Sequence, residues 1–156
     1  MNELLTELLA QEEALQFTTF TNEDALSLGL IIINIAKEKI GKGIAVCIVK
    51  DSTPLFTHLM EGTTKENIYW LNTKSNVTIK FAHSSLYMGE KYKAEGTTFK
   101  EATGLNTDEY QGEGGSFPLI IMGKGAVGSV TVSGLTGEDD HSTAAEGIRN
   151  FLSLKK

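Results

Sequence analysis

Hydrophobic positions along this chain switch repeatedly between the three-to-four spacing of helices and the alternation of strands. Leu4, Leu5, Leu8, Leu9 and Leu15 recur at helical spacing over Asn2 to Phe17, which predicts a helix packing one face. A second helix is predicted from Asn22, read as its N-cap, to Lys39 ahead of Gly41, with Glu23 and Asp24 suited to the positive end of its dipole. Its run Leu28 to Ile35 is almost wholly apolar, and the cap and length favour a buried helix over a strand. Strands Gly43 to Lys50 and Pro54 to Met60 follow, joined by Asp51-Ser52-Thr53. Pro54 suits an edge, where a missing N–H costs nothing. Helices are predicted over Thr64 to Phe81 and Ser84 to Ala94, and Gly96 to Gly114 reads as a long excursion with helical fragments.

Phe117 to Met122 is apolar on both faces, as a covered strand would be, whereas Val130 and Val132 alternate with Ser129, Thr131 and Ser133. That alternation predicts one packed and one polar face. Gly123 and Gly125 between them supply the positive φ of a hairpin connection. The same turn, Gly123-Lys124-Gly125-Ala126-Val127-Gly128, matches the dinucleotide fingerprint G-x-G-x-x-G. That fingerprint needs a helix to open directly after it, and here a strand follows, so nucleotide binding is set aside. A last helix is predicted from Asp139, with Ala144, Ala145, Ile148, Phe151 and Leu152 as its apolar stripe. Two hairpins interleaved with helices give an antiparallel sheet covered by helices, the α+β class, in a single domain over residues 1–156.

Composition narrows the functional classes. A chain of 156 residues can bury roughly 70% of the surface its unfolded form exposes, enough for a true core. Its formal charge of −6 argues against nucleic acid or an anionic membrane as partner. The lone Cys47 sits in an apolar strand and reads as a small buried hydrophobe. Leu26 to Ala36 is too short to cross a bilayer, and the amino terminus has no basic segment of a secretory signal, so a cytoplasmic location is expected.

Taken together, Gln11-Glu12 with Phe17 and Phe20, Asp24-Ala25 to Gly29, Leu55-Phe56, Asn67-x-x-Trp70, Ser84-Ser85-Leu86-Tyr87, Gly114-Gly115-Ser116-Phe117-Pro118, Val132-Ser133-Gly134-Leu135 and Asp140-His141 resemble the GlcG-like family, also called HbpS-like or haem-degrading domains. The likeness runs over nearly the whole chain and is nearest to the small cytoplasmic branch. It implies a profilin-like, three-layer α/β/α fold around a five-stranded antiparallel sheet, assembly into a homo-oligomer, and haem or a related tetrapyrrole as ligand. Where that branch carries an Arg-Lys pair after its tryptophan, this chain has Thr73-Lys74.

Candidate ligands to haem iron are His58, His83 and His141, the chain's three histidines. None has zinc-like spacing to another, and no metal site is predicted. Each also has a structural reading. His58 would be half-buried in its strand, His83 would contact a helix end, and His141 would follow the Glu138-Asp139-Asp140 run that serves the helix dipole. Gly114-Gly115-Ser116 either offers N–H groups to an anion or lets the chain turn into Phe117, and the resemblance puts this loop beside Trp70 and the last helix, with Lys74 nearby. Trp70 itself reads as a core or subunit-interface anchor. Three functions stay open: a homo-oligomeric module binding haem or another small planar molecule, a haem-degrading enzyme, and an assembly protein without cofactor.

Overall fold

A computed structural model of the chain describes residues 2–155. Its elements run α1 (Glu3–Ala14), α2 (Asn22–Ile35) with a π-helical turn (Ala36–Ile40), β1 (Ala45–Lys50), β2 (Thr53–Leu59), α3 (Lys65–Phe81), α4 (Ser85–Ala94), α5 (Phe99–Thr103), β3 (Ser116–Ile121), β4 (Gly125–Ser133) and α6 (Gly137–Leu154). The sheet is antiparallel throughout, in the order β2-β1-β4-β3. Helices α2 and α6 cover one face and α3 covers the other, which is the expected α+β arrangement.

Four strands, not five, are formed among the described residues. The fifth position, outside β3, is filled by a single residue. Phe17 donates its N–H to the Ile120 carbonyl at 2.8 Å and accepts from Met122 N–H at 2.8 Å, a parallel bridge to Ile121. The contact stops there because Phe17 and Phe20 turn into the core, where they pack with Phe151 at ring-centroid distances of 4.8 to 6.4 Å. Their burial, about 2 kcal/mol each, outweighs the further ladder bonds that a full strand would add.

Side chains of the α2 and α6 face of the sheet, Val46, Ile48, Phe117, Leu119, Val130 and Val132, are fully buried among Leu28, Ile32 and Ile148. Gly29 lies directly over the Phe56 ring, which occupies the space any β-carbon would need, and this lets α2 approach the β1–β2 hairpin closely. The polar face of β4 is not solvated. Ser129 Oγ meets Ser75 Oγ of α3 at 2.6 Å, Thr131 Oγ1 donates to Ser116 Oγ at 2.9 Å, and Asn67 donates to Ser133 Oγ at 3.1 Å. The alternation in β4 therefore marks two buried faces of different chemistry, one aliphatic and one hydroxyl-lined. Each hydroxyl has a partner, as burial demands.

Helix starts differ from the sequence reading by one or two residues. Thr21, not Asn22, caps α2, because Thr21 and Asp24 form a reciprocal capping box. Likewise α6 begins at Gly137, capped by Thr136. The last turn of α2 widens into the π-helical turn, closed where Gly41 N–H meets the Ala36 carbonyl at 2.7 Å. No helix among the described residues is long and apolar enough to cross a membrane.

Candidate functional site

Two regions gather the residues singled out by the sequence. The first is a polar cleft of roughly 380 Å³ between the start of α3, the loop before β3 and the start of α6, and it brings Trp70, Lys74 and Gly114 together. Trp70 is half-buried and edge-on to Tyr69 at 5.1 Å. Lys74 lies at the base of the cleft, only 3% exposed, with its Nζ donating to the carbonyls of Gly114 at 3.0 Å and Val132 at 2.8 Å and to Asp140 Oδ2 at 3.2 Å. An ammonium has three hydrogens, and all three are engaged. Its other oxygen, Asp140 Oδ1, accepts from Leu135 N–H at 3.0 Å. Burial pushes the Lys74 ammonium down and the Asp140 carboxyl up, each against the attraction of the other. This pair holds the Gly-Gly loop onto β4 and α6.

Gly115 has φ +140°, and a β-carbon there would collide with Lys74 Nζ and the Val132 carbonyl. The glycine is thus required both by its backbone and by the ammonium packed against it. Phe117 does not reach the cleft, because its side chain is buried on the opposite face of the sheet beside His141, at a ring distance of 5.7 Å. Glu66, Glu113 and Asp140 outnumber Lys74 around the cleft, so its field opposes the propionates of a haem.

The histidines are far apart in role. His141 is 2% exposed; Gln11 Oε1 lies 2.7 Å from Nε2, which therefore carries the proton, and Nδ1 has no partner among the described residues. Burial pushes its pKa down to about 4, so the ring is neutral at pH 7. His83 Nδ1 lies 2.7 Å from Glu12 Oε1, and that hydrogen bond raises its pKa despite partial burial. The same buried carboxylate accepts from Ser84 N–H at 3.1 Å through Oε2, so Glu12 joins α1 to the start of α4. Its neighbour Gln11 joins α1 to α6.

His58 is exposed, not half-buried, because it lies near the end of β2, the strand at the margin of the sheet. It opens onto a second region, a groove of roughly 510 Å³. Met60 and the edge of Ile33 supply apolar surface, while Lys37 and Lys42 bring positive charge, with Glu61 also on the lining. An imidazole nitrogen, an apolar surface and two cations match the iron, the ring and the propionates of haem. The groove therefore fits that group, and the cleft at Lys74 does not.

Sequence reasoning did not single out Glu12, Gln11 or Asp140 as partners. Asp140 was assigned to the helix dipole with its two acidic neighbours, although only Asp140 is buried. The signal available was its position directly before His141 in the strand-loop-helix segment that carries the family resemblance. Cys47, expected to be buried, is half-exposed on the α3 side of β1 and accepts from Thr57 Oγ1 at 3.4 Å. Burial nonetheless raises its thiol pKa.

The chain is similar to known proteins over most of its length. A UPF0303 protein of Streptomyces coelicolor is 36% identical over 148 residues, spanning 95% of this chain and 93% of its own. The crystal structure of the Ybr137w protein superposes with a TM-score of 0.89 at 30% identity, covering 97% of this chain and 90% of its own. The PduOC:heme complex superposes with a TM-score of 0.71 at 17% identity, over 84% of this chain and 94% of its own, a likeness of fold. The family described as haem degrading protein HbpS-like matches residues 20–149, and with those 130 positions of its 156 accounted for, the chain belongs to that family.

Proposed function

We propose that the protein is a haem-binding module in which His58 is the axial ligand. The observation that carries this reading is that His58 is exposed on a groove with apolar surface and two lysines, while His83 is tied to Glu12 and His141 is enclosed in the core. Family membership and the haem held by the similarly folded PduOC support it. In this reading Met60 and the edge of Ile33 shield one face of the macrocycle from water, and Lys37 and Lys42 pair with its carboxylates. Bound haem would supply iron redox and dioxygen chemistry; the chain itself supplies the nitrogen, the charge and the exclusion of water.

The deciding experiment is a haem titration followed at the Soret band for the protein and for His58→Ala, His83→Ala and His141→Ala. A saturable shift that disappears in His58→Ala alone is the expected result. Retention of the shift in His58→Ala would remove His58 as the ligand.

The module is also proposed to work as a homo-oligomer. Leu26, Leu30 and Leu154 are 45%, 54% and 75% exposed, and Leu30 and Leu154 flank one groove between α2 and α6. Light scattering after size exclusion should give a multiple of the 16.9 kDa chain mass, reduced in Leu30→Lys. A monomeric wild-type protein would end this part of the reading.

A further inference from the structure

A further cavity, of roughly 540 Å³, lies at the opposite end of α6 from the cleft at Lys74, where residues 14–19 cross the edge of β3. Its size is within the range of small-molecule sites. Leu15, Phe17 and Phe151 line it as buried core residues, and Met122, 55% exposed, stands at its rim. The cavity is thus an opening directly onto the aromatic cluster of the core.

Its charge is specific. Arg149 lines the cavity and is the chain's only arginine, in a sequence with 20 acidic residues and a net charge of −6. Among the described residues no carboxylate pairs with it. Asp24 and Lys155 also line the cavity but are paired with each other: Asp24 Oδ2 accepts from Thr21 N–H at 2.8 Å and Oδ1 meets Lys155 Nζ at 3.2 Å. The helix dipole does not explain the arginine either, since no basic residue lies in the last turn of α6. A guanidinium left over beside an apolar cavity is complementary to a planar carboxylate attached to an apolar body.

We infer that this cavity binds a medium-chain fatty acid, its alkyl chain against Met122, Leu152 and Ala14 over the buried Leu15, Phe17 and Phe151, and its carboxylate paired with Arg149. The site is separate from the groove at His58, and neither reading depends on the other.

The methionines report the outcome. With methyl-labelled methionine, Met122 reads this cavity, Met60 reads the groove at His58, and Met88 reads the small core beneath α4. Titration with decanoate, kept below its micelle concentration, should shift Met122 saturably and leave Met60 and Met88 in place. Arg149→Gln, a change at an exposed position, should weaken decanoate by about tenfold or more, the worth of a hydrogen bond to a charged group, and leave decan-1-ol unchanged. Shifts at all three methionines, equal binding of the acid and the alcohol, an unaffected Arg149→Gln, or no saturation would each overturn the assignment.

Discussion

Acidification should destabilise this protein through one residue, His141. Its ring is enclosed beside Phe117, with Nε2 on Gln11 and Nδ1 unpartnered, and its pKa falls from 6.5 to about 4. The unfolded chain takes up a proton near pH 6.5 while the folded chain refuses it until about pH 4. In that window the unfolded state binds more protons, so stability drops as the pH falls. With about 1.4 kcal/mol per unit of displacement, the contribution is near zero at pH 7.5, about 2 kcal/mol lost by pH 5 and about 3 kcal/mol lost by pH 4. Carboxylates titrate in the lower part of the same range, so the quantity to measure is a difference between two proteins. His141→Gln removes the titrating ring and keeps an amide able to meet Gln11. Urea unfolding of both proteins at pH 7.5, 6 and 5 should show the wild type's margin over the variant shrinking by about 2 kcal/mol. A margin independent of pH would refute the reasoning, as would an NMR titration in which the His141 ring protonates near pH 6.5 in the folded state.

Two further perturbations test how the Gly-Gly loop is held. Lys74→Met leaves Asp140 buried without its cation and strips the Gly114 and Val132 carbonyls of a donor, and should cost about 3–5 kcal/mol; a loss under about 1 kcal/mol in urea unfolding would show that the pair is not the clamp described above. Gly115→Ala forces a β-carbon onto Lys74 Nζ at φ +140° and should lower stability by about 1–3 kcal/mol from the backbone alone. An unchanged melting temperature would contradict that conformation.

Much of the fold was legible because its signals are local. Both hairpins follow from turn residues between apolar runs, and the caps Thr64 and Ser84 stand where their helices were expected to open. What escaped depends on residues distant in sequence. Lys74 and Asp140 are 66 positions apart, and Gln11 and His141 are 130 apart, so no spacing rule joins them. The hydroxyls of β4 read as a solvent face because a serine facing water and a serine facing another serine look the same in one sequence. The fifth strand was implied by the family resemblance and by no alternation in the chain, and the packing of Phe17 against Phe151 shows why the segment there turns inward after one bridge. For the candidate site, the family resemblance placed the Gly-Gly loop beside Trp70 and the last helix, the contact with Lys74 came only from the structure, and the three histidines were left equal. Exposure of His58 depends on β2 lying at the margin of the sheet, a strand order that no local pattern states.

The bridge at Phe17 also bears on how such a sheet behaves in a crowded solution. It pairs one end of the β3 margin, while the opposite margin, β2, carries Pro54 and an irregular register beside it. Growth by strand addition requires two open margins on every molecule, one to receive and one to offer. With the Ile121 end of β3 already paired and Pro54 interrupting β2, each margin offers only a short run of free backbone groups, which disfavours growth into a fibril.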